Sequence, residues 1–168
     1  LRRASAFVIT RTEPGRSYEG IEERLRRYNP LAPVFRARVR AESWVDAASG
    51  ASFAAASLPA ARVAAFCALA NPAAFWQTLE ALGLKPLVKR VLGDHHRYRP
   101  VELKRLAAEA RLAGAEALVT TEKDVMNLCA HVADLIAPLR LFWLKIGIEV
   151  EEDRKSTRLN SSHRTVSR

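Results

Sequence analysis

The residues best suited to chemistry are Asp94 and His95, which are adjacent and follow a short apolar segment. A carboxylate beside an imidazole can orient the ring or stabilise its positive charge, and an imidazole exchanges protons near neutral pH. His96 comes next, and adjacent residues of an extended segment point to opposite sides. We therefore expect one of the two histidines to face a ligand site, and a pair of surface histidines near a strand end is the alternative.

A second polar cluster, residues 120–124, carries both signs of charge where a predicted strand passes into a helix. The N-terminus of a helix attracts anions, so Lys123 could meet a phosphate. The alternative is a capping box with Thr121 at the N-cap and Asp124 at the third helical position. The two interpretations are compatible with each other.

Two further clusters are less specific. Thr10, Arg11 and Glu13 follow the first predicted strand. They resemble the Asn/Thr-Lys-x-Asp arrangement by which some P-loop proteins hold a nucleotide base, and a solvated loop is the alternative. Arg36, Arg38 and Arg40 alternate along another predicted strand. They form a basic strand face that is either solvated or directed at anionic lipid headgroups.

Hydrophobic periodicity and turn residues predict the elements that position these clusters. Apolar runs predict strands, and helical spacing between Asn-Pro, Pro and Gly signals predicts helices. Asn71 and Pro72 form the preferred start of a helix, and Pro59 is expected to open a brief helical segment. The predicted strands are residues 7–10, 34–39, 64–69, 87–92, 117–120 and 141–150, and the predicted helices are residues 17–28, 72–82, 100–113 and 121–129.

The predicted strands alternate with helices and are apolar throughout, which indicates an α/β fold with a mostly parallel sheet and helices on both faces. In such sheets ligands bind beyond the carboxyl ends of the strands, so we expect the polar clusters to converge on one edge. The sequence contains neither a G-x-x-x-x-G-K-[S/T] nor a G-x-G-x-x-G phosphate-binding motif. From the residues alone, the prediction is an α/β domain with a polar crevice.

Composition excludes several classes of protein. The 168 residues are 49% hydrophobic and 27% charged, as in an ordinary globular domain. No run of about 18 apolar residues is present that would span a bilayer. Cys67 and Cys129 are the only cysteines. They lack His or Cys partners at metal-binding spacing, which argues against a zinc site or a disulfide framework and favours buried free thiols.

The net charge of +9 makes a basic nucleic-acid-binding module an alternative, and a non-catalytic interaction domain is another. Part of this charge comes from the C-terminal tail. Residues 153–163 match a translation of a common sequencing adapter, so we expect residues 153–168 to be a disordered artefact. A genuine basic tail is the alternative. Functional roles are therefore sought within residues 1–152.

Several segments together resemble the tetraacyldisaccharide 4'-kinase family, in the order found there. The most specific are Asp-His-His-Arg-Tyr at residues 94–98 and Val-Thr-Thr-Glu-Lys-Asp at residues 119–124. Residues 7–11, and residues 65–72 with Phe75, also match. One departure is Gly93, where the family often has proline before Asp-His.

The resemblance implies the C-terminal part of a P-loop kinase-like fold. The family transfers the γ-phosphate of ATP, with Mg²⁺, to the 4'-hydroxyl of tetraacyldisaccharide 1-phosphate. This reaction gives lipid IVA for lipid A biosynthesis at the cytoplasmic face of the bacterial inner membrane. The implied partners are therefore this anionic lipid substrate and the membrane surface, with no nucleic acid.

The resemblance also implies roles for individual residues. His95 is expected to assist a catalytic aspartate in the N-terminal half of the family's fold, with Asp94 as its neighbour. The residue patterns described above, and not the resemblance, are the basis for expecting nucleotide contacts from Thr10, Arg11, Glu13, Thr121, Lys123 and Asp124. The chain begins at Leu1 without an initiator methionine, and the P-loop, the metal ligands and the catalytic aspartate are expected upstream. The expectation is that this chain alone is inactive.

Overall fold

The computed structural model describes residues 1–13, 15–94 and 96–151. The described chain divides into two compact units, one formed by residues 1–40 together with residues 147–151 and the other by Ala41–Ile146. The adapter prediction for residues 153–168 lies outside the described residues, and the prediction of a single domain over residues 1–152 stays a prediction.

Strands alternate with helices along most of the chain, as the apolar segments predicted. The strands are β1 (Phe7–Thr10), β2 (Val34–Asp46), β3 (Ser52–Ala54), β4 (Val63–Cys67), β5 (Val88–Val91), β6 (Ala117–Thr121) and β7 (Arg140–Glu151). The helices are α1 (Glu19–Arg26), α2 (Pro72–Ala81), α3 (Pro100–Leu112), α4 (Glu122–Val125) and α5 (Val132–Ile136). None of the helices in the described ranges is long and apolar enough to cross a membrane.

The larger unit contains a mostly parallel sheet, which confirms the predicted fold class. Its strand order is β2, β7, β6, β4 and β5, and β3 pairs antiparallel with β2. β7, β6, β4 and β5 run parallel, with Ala64 of β4 opposite both Leu118 of β6 and Val88 of β5. The carboxyl ends of β4, β5 and β6 therefore lie at one edge.

The central strand β4 is buried on both sides, because helices cover both faces of this sheet. Ala64 and Phe66 face one core, where they pack with apolar residues of α3 and α5. Val63, Ala65 and Cys67 face the other core, which includes Phe75 and Leu79 of α2. A strand buried on both faces needs apolar residues at successive positions, so its sequence shows a continuous apolar run.

In the smaller unit, β1 pairs parallel with the first part of β2, and Phe7 lies opposite Val34. These two residues and Ala32 form a small core against which Leu25 of α1 packs. The Asn29 side chain donates a hydrogen bond to the Ala4 carbonyl at 3.0 Å, which holds the N-terminal residues against the segment that follows α1.

Several local predictions were wrong or incomplete. β2 continues to Asp46 instead of ending at residue 39, and β3 was not predicted. Residues 59–62 form no helix, because the backbone N–H groups of Ala61 and Arg62 point to the Glu116 carboxylate. β5 is an exposed edge strand rather than a buried one, because it lies at the end of the strand order, next to β4. α4 stops at Val125, and the Asn127 side chain donates to the Lys123 carbonyl. The short helix α5 was not predicted.

Candidate functional site

Two polar segments of the larger unit meet at the carboxyl edge of its sheet. One is the β5–α3 loop, residues 92–99, and the other is the β6–α4 junction, residues 120–124. The Lys123 ammonium lies 2.5 Å from Asp94 Oδ1. The Tyr98 hydroxyl donates to Asp124 Oδ1 at 2.9 Å. The structure thus brings together the two most specific polar clusters of the sequence.

Asp124 is the centre of this arrangement, and its side chain is fully buried. Besides the bond from Tyr98, its Oδ1 accepts from the Ala68 N–H at 3.0 Å, and its Oδ2 accepts from the Thr121 hydroxyl at 2.6 Å. One carboxylate therefore connects the end of β4, the β5–α3 loop and the start of α4. A buried carboxylate is stable only with such compensating donors.

Thr121 is the N-cap of α4, as the capping interpretation predicted. Its hydroxyl accepts from the Asp124 N–H at 3.2 Å. The reciprocal bond differs from a capping box, because the Asp124 carboxylate accepts from the Thr121 hydroxyl rather than from its backbone N–H. The preceding residue, Thr120, is also fully buried, and its hydroxyl donates to the Phe66 carbonyl at 2.9 Å.

The protonation states around Asp124 follow from burial. Burial and the nearby Asp124 charge raise the pKa of the Tyr98 phenol, so the hydroxyl keeps its proton and remains a donor. The same two causes raise the pKa of the Cys67 thiol to about 11. Cys67 is a buried free thiol, as the sequence predicted, whereas the free thiol Cys129 is only partly buried. A thiol that keeps its proton is a poor nucleophile.

His96 is attached to α3 and not to the β6–α4 junction. Its Nε2 lies 3.1 Å from Glu102 Oε2, and its ring meets the Tyr98 ring edge-on at 5.1 Å between centroids. Glu102 also accepts from the Arg99 N–H at 2.8 Å and from the Arg99 guanidinium at 3.0 Å. The bonds from the Arg99 side chain and backbone hold the pKa of Glu102 at about 2.

Replacement of Arg99 by alanine is expected to raise the pKa of Glu102 from about 2 toward its ordinary 4.5, because the guanidinium makes the largest contribution to the shift. The depressed pKa means that the Arg99 contacts stabilise the fold above about pH 4.5 and lose that effect as the pH falls toward 2. Carbon-detected NMR titration of the Glu102 carboxyl measures the midpoint. The control is Arg97→Ala, which changes an exposed neighbour and should leave the midpoint of the Glu102 titration unchanged.

Comparison with known proteins places this arrangement in a family. Residues 1–164 match the family model described as Tetraacyldisaccharide-1-P 4'-kinase, LpxK. The chain belongs to this family. The match includes both segments that meet at the carboxyl edge.

Individual LpxK-family relatives support the assignment, and all three that follow are named tetraacyldisaccharide 4'-kinase. The relative from Anaeromyxobacter dehalogenans (strain 2CP-C) is 37% identical over 134 residues, which are 76% of this chain and 34% of that protein. The relative from Anaeromyxobacter sp. (strain K) is 43% identical over 89 residues, 53% of this chain and 23% of that protein. A relative from Methylorubrum extorquens is 38% identical over 109 residues, 65% of this chain and 30% of that protein. The chain thus spans a quarter to a third of these relatives.

The solved structure of LpxK from Aquifex aeolicus in complex with ATP has the same fold, with a TM-score of 0.52 and 20% sequence identity. The similarity covers 94% of this chain and 42% of the Aquifex chain. Identity at this level supports the fold alone. The predicted P-loop kinase-like α/β fold of the LpxK family is therefore confirmed.

The predicted nucleotide contacts Thr10, Arg11 and Glu13 lie in the smaller unit, where Tyr18 organises their loop. The Glu13 N–H donates to the Tyr18 hydroxyl at 2.8 Å, and the Glu13 carboxylate lies 3.6 Å from the Arg16 guanidinium. Arg11 adopts a positive φ of 57°, which is uncommon for a residue with a side chain. Their role in an LpxK nucleotide site stays a prediction.

The basic face of β2 is neutralised in part by carboxylates of the smaller unit. Arg36 donates to Glu22 at 2.7 Å, and Arg38 forms two bonds to Glu149 at 3.0 and 3.1 Å. These contacts favour a structural role for Arg36 and Arg38, whereas Arg40 is exposed. Contact of this face with lipid headgroups stays a prediction.

Sequence reasoning did not assign roles to Tyr98 or Glu102, although both organise the site. The capping pattern could have indicated Glu102, which is the third residue of the helix that begins at Pro100. Tyr98 is the last residue of the Asp-His-His-Arg-Tyr segment that carries the family resemblance, but the segment did not indicate that its hydroxyl would bind Asp124. Within the parts of the chain that the structure describes, no three His, Cys, Asp or Glu side chains gather as metal ligands.

Proposed function

We propose that the full-length protein containing this sequence transfers the γ-phosphate of ATP to the 4'-hydroxyl of tetraacyldisaccharide 1-phosphate, giving lipid IVA. The observation that carries the proposal is the family match over residues 1–164. Two relatives that are named tetraacyldisaccharide 4'-kinase also support it, and each aligns with 76% of this chain. A lipid substrate favours action at the cytoplasmic face of the inner membrane, with Mg²⁺ accompanying ATP.

Phosphoryl transfer depends on positioning and charge neutralisation more than on covalent chemistry by the protein. We propose that His95 supports the carboxylate that accepts the proton of the attacking hydroxyl, with Asp94 as its neighbour. His95 lies outside the described residues, so this role comes from the family pattern. Both flanking residues are described, and each is held by a side chain of another element: Asp94 by Lys123 and His96 by Glu102.

Thr121 and Lys123 were both predicted as nucleotide contacts at the exit of β6, and we keep that proposal for Thr121. Lys123 is partly exposed, and a phosphate there would compete with Asp94 for its ammonium group. Asp124 is different, because its carboxylate is fully buried and accepts bonds from three protein groups. Its predicted contact with the nucleotide is untested, and its burial favours a structural role.

The activity is tested by incubating the purified full-length protein with ATP, Mg²⁺ and tetraacyldisaccharide 1-phosphate. The expected product carries a second phosphate at the 4' position, which phosphorus NMR and mass spectrometry identify. An analogue without the 4'-hydroxyl is the matched control and should not be phosphorylated. Absence of lipid phosphorylation, together with salt-dependent binding of DNA, would instead support the basic nucleic-acid-binding alternative.

A further inference from the structure

We propose that Tyr98, Lys123 and Asp124 are positioning residues that hold the β5–α3 loop at the geometry needed for phosphoryl transfer. We call the two residue pairs Asp94–Lys123 and Tyr98–Asp124 the clamp. This inference rests on the proposed kinase function. It assigns two of the predicted nucleotide contacts, Lys123 and Asp124, to positioning of the loop.

The buried half of the clamp is the bond from Tyr98 to Asp124. Tyr98 is 6% exposed and Asp124 is 0% exposed, so this hydrogen bond to a charged acceptor is shielded from water. Such bonds are stronger than neutral or solvated ones. Because Asp124 Oδ1 also accepts from the Ala68 N–H, the bond ties the loop to the end of the central strand β4.

The exposed half is the ion pair between Asp94 and Lys123, whose side chains are each 38% exposed. Exposed ion pairs contribute little to stability, so this pair is not what keeps the domain folded. It does hold the Asp94 carboxylate toward the start of α4. The two pairs hold the loop at Asp94 and at Tyr98, four positions apart. The predicted catalytic histidine directly follows Asp94 in the chain.

A third attachment joins the loop to α3. The His96 ring contacts Glu102 of α3 and packs edge-on against Tyr98. The Tyr98 ring also packs edge-on against Phe66 of β4, at 5.3 Å between centroids. Contacts to a strand, a helix and a capped turn thus restrict the loop. Rigid support of this kind lowers the cost of reaching a reactive geometry.

The clamp and the nucleotide-contact interpretation make different kinetic predictions for Lys123. A phosphate ligand contributes to ATP binding, so its loss raises the KM for ATP. A clamp residue contributes to the alignment of reacting groups, so its loss lowers kcat with little change in KM. Arginine at position 123 keeps a cation within reach of Asp94 and should preserve the alignment.

The test measures kcat and the KM for ATP in the full-length protein for Tyr98→Phe, Lys123→Met and Lys123→Arg. Tyr98→Phe and Lys123→Met are each expected to lower kcat about tenfold, with the KM for ATP changed less than about twofold, since small misplacements near the chemistry reduce rate. Lys123→Arg is expected to recover most of the lost kcat. The exposed Tyr28, changed to phenylalanine, is the matched control and should behave as the wild type.

Hydrogen exchange of the peptide covering residues 92–99 provides a readout that does not depend on activity. Faster exchange is expected in Tyr98→Phe than in Tyr28→Phe, at a temperature where circular dichroism shows both to be folded. An unchanged kcat, or a change confined to the KM for ATP in Lys123→Met, overturns the clamp. If Tyr98→Phe does not fold, the Lys123→Met and Lys123→Arg pair decides the question. A wild-type protein that phosphorylates no lipid instead overturns the proposed function, whatever the exchange result.

Discussion

Replacement of Asp124 by alanine is expected to reduce the free energy of unfolding by about 3 kcal/mol, the scale for breaking a buried charged network. The substitution leaves the Ala68 N–H and the buried Tyr98 hydroxyl without the acceptor that each now has. It also removes the carboxylate that accepts from the Thr121 hydroxyl. Urea denaturation, followed by tryptophan fluorescence, to which the fully buried Trp44 contributes, measures the change.

Two variants separate the carboxylate's role from a general effect of changing α4. Asp124→Asn keeps an acceptor oxygen for Ala68 and Tyr98 while removing the charge. We expect it to reduce the free energy of unfolding by about 1 kcal/mol. Glu122→Ala changes an exposed acidic residue in the same helical turn and should stay within about 0.5 kcal/mol of the wild type. If Asp124→Ala and Glu122→Ala reduced the free energy of unfolding equally, the buried hydrogen bonds of Asp124 would make no specific contribution to stability.

The fold was predictable where local sequence and tertiary environment agree. β4 and β6 are nearly continuous apolar runs because neighbours cover both faces of each strand. Gly83 and Gly114 follow α2 and α3 with φ of 76° and 80°, a conformation that favours glycine and ends a helix. Prediction failed where a distant residue decides the local structure. The Glu116 carboxylate accepts hydrogen bonds from the N–H groups of Ala61 and Arg62, and no sequence pattern near Pro59 indicates that partner.

The candidate site shows the same division. The N-cap role of Thr121 follows from the three-residue spacing to Asp124, which is a local signal. The bond between Tyr98 and Asp124 joins residues 26 positions apart, so it depends on strand order and not on spacing. Topology also explains why Lys123 faces Asp94. The carboxyl ends of parallel strands share an edge, and that rule predicted that the two clusters would converge without predicting which side chains would pair.

Replacement of His95 by alanine in the full-length protein is expected to lower kcat by about 100-fold, the usual scale for an acid–base group. The residue itself lies outside the described part of the chain, and the expectation rests on its place in the family motif and on the support given to its neighbours. Loss of the imidazole removes an ionisable group from the proton-transfer step, so the pH dependence of kcat should also change. Steady-state kinetics from about pH 5.5 to about 8.5 measure both effects.

Two other histidines serve as controls for this prediction. His96→Ala removes a ring whose described contacts are Glu102 and Tyr98, so we expect a loss of less than about tenfold through looser support of the loop. His131→Ala changes the residue just before α5 and should leave kcat unchanged. A large loss in His96→Ala with an active His95→Ala would assign the catalytic role to the other histidine of the pair. In that case Glu102, which already holds His96 at 3.1 Å, would become the carboxylate that orients the catalytic ring.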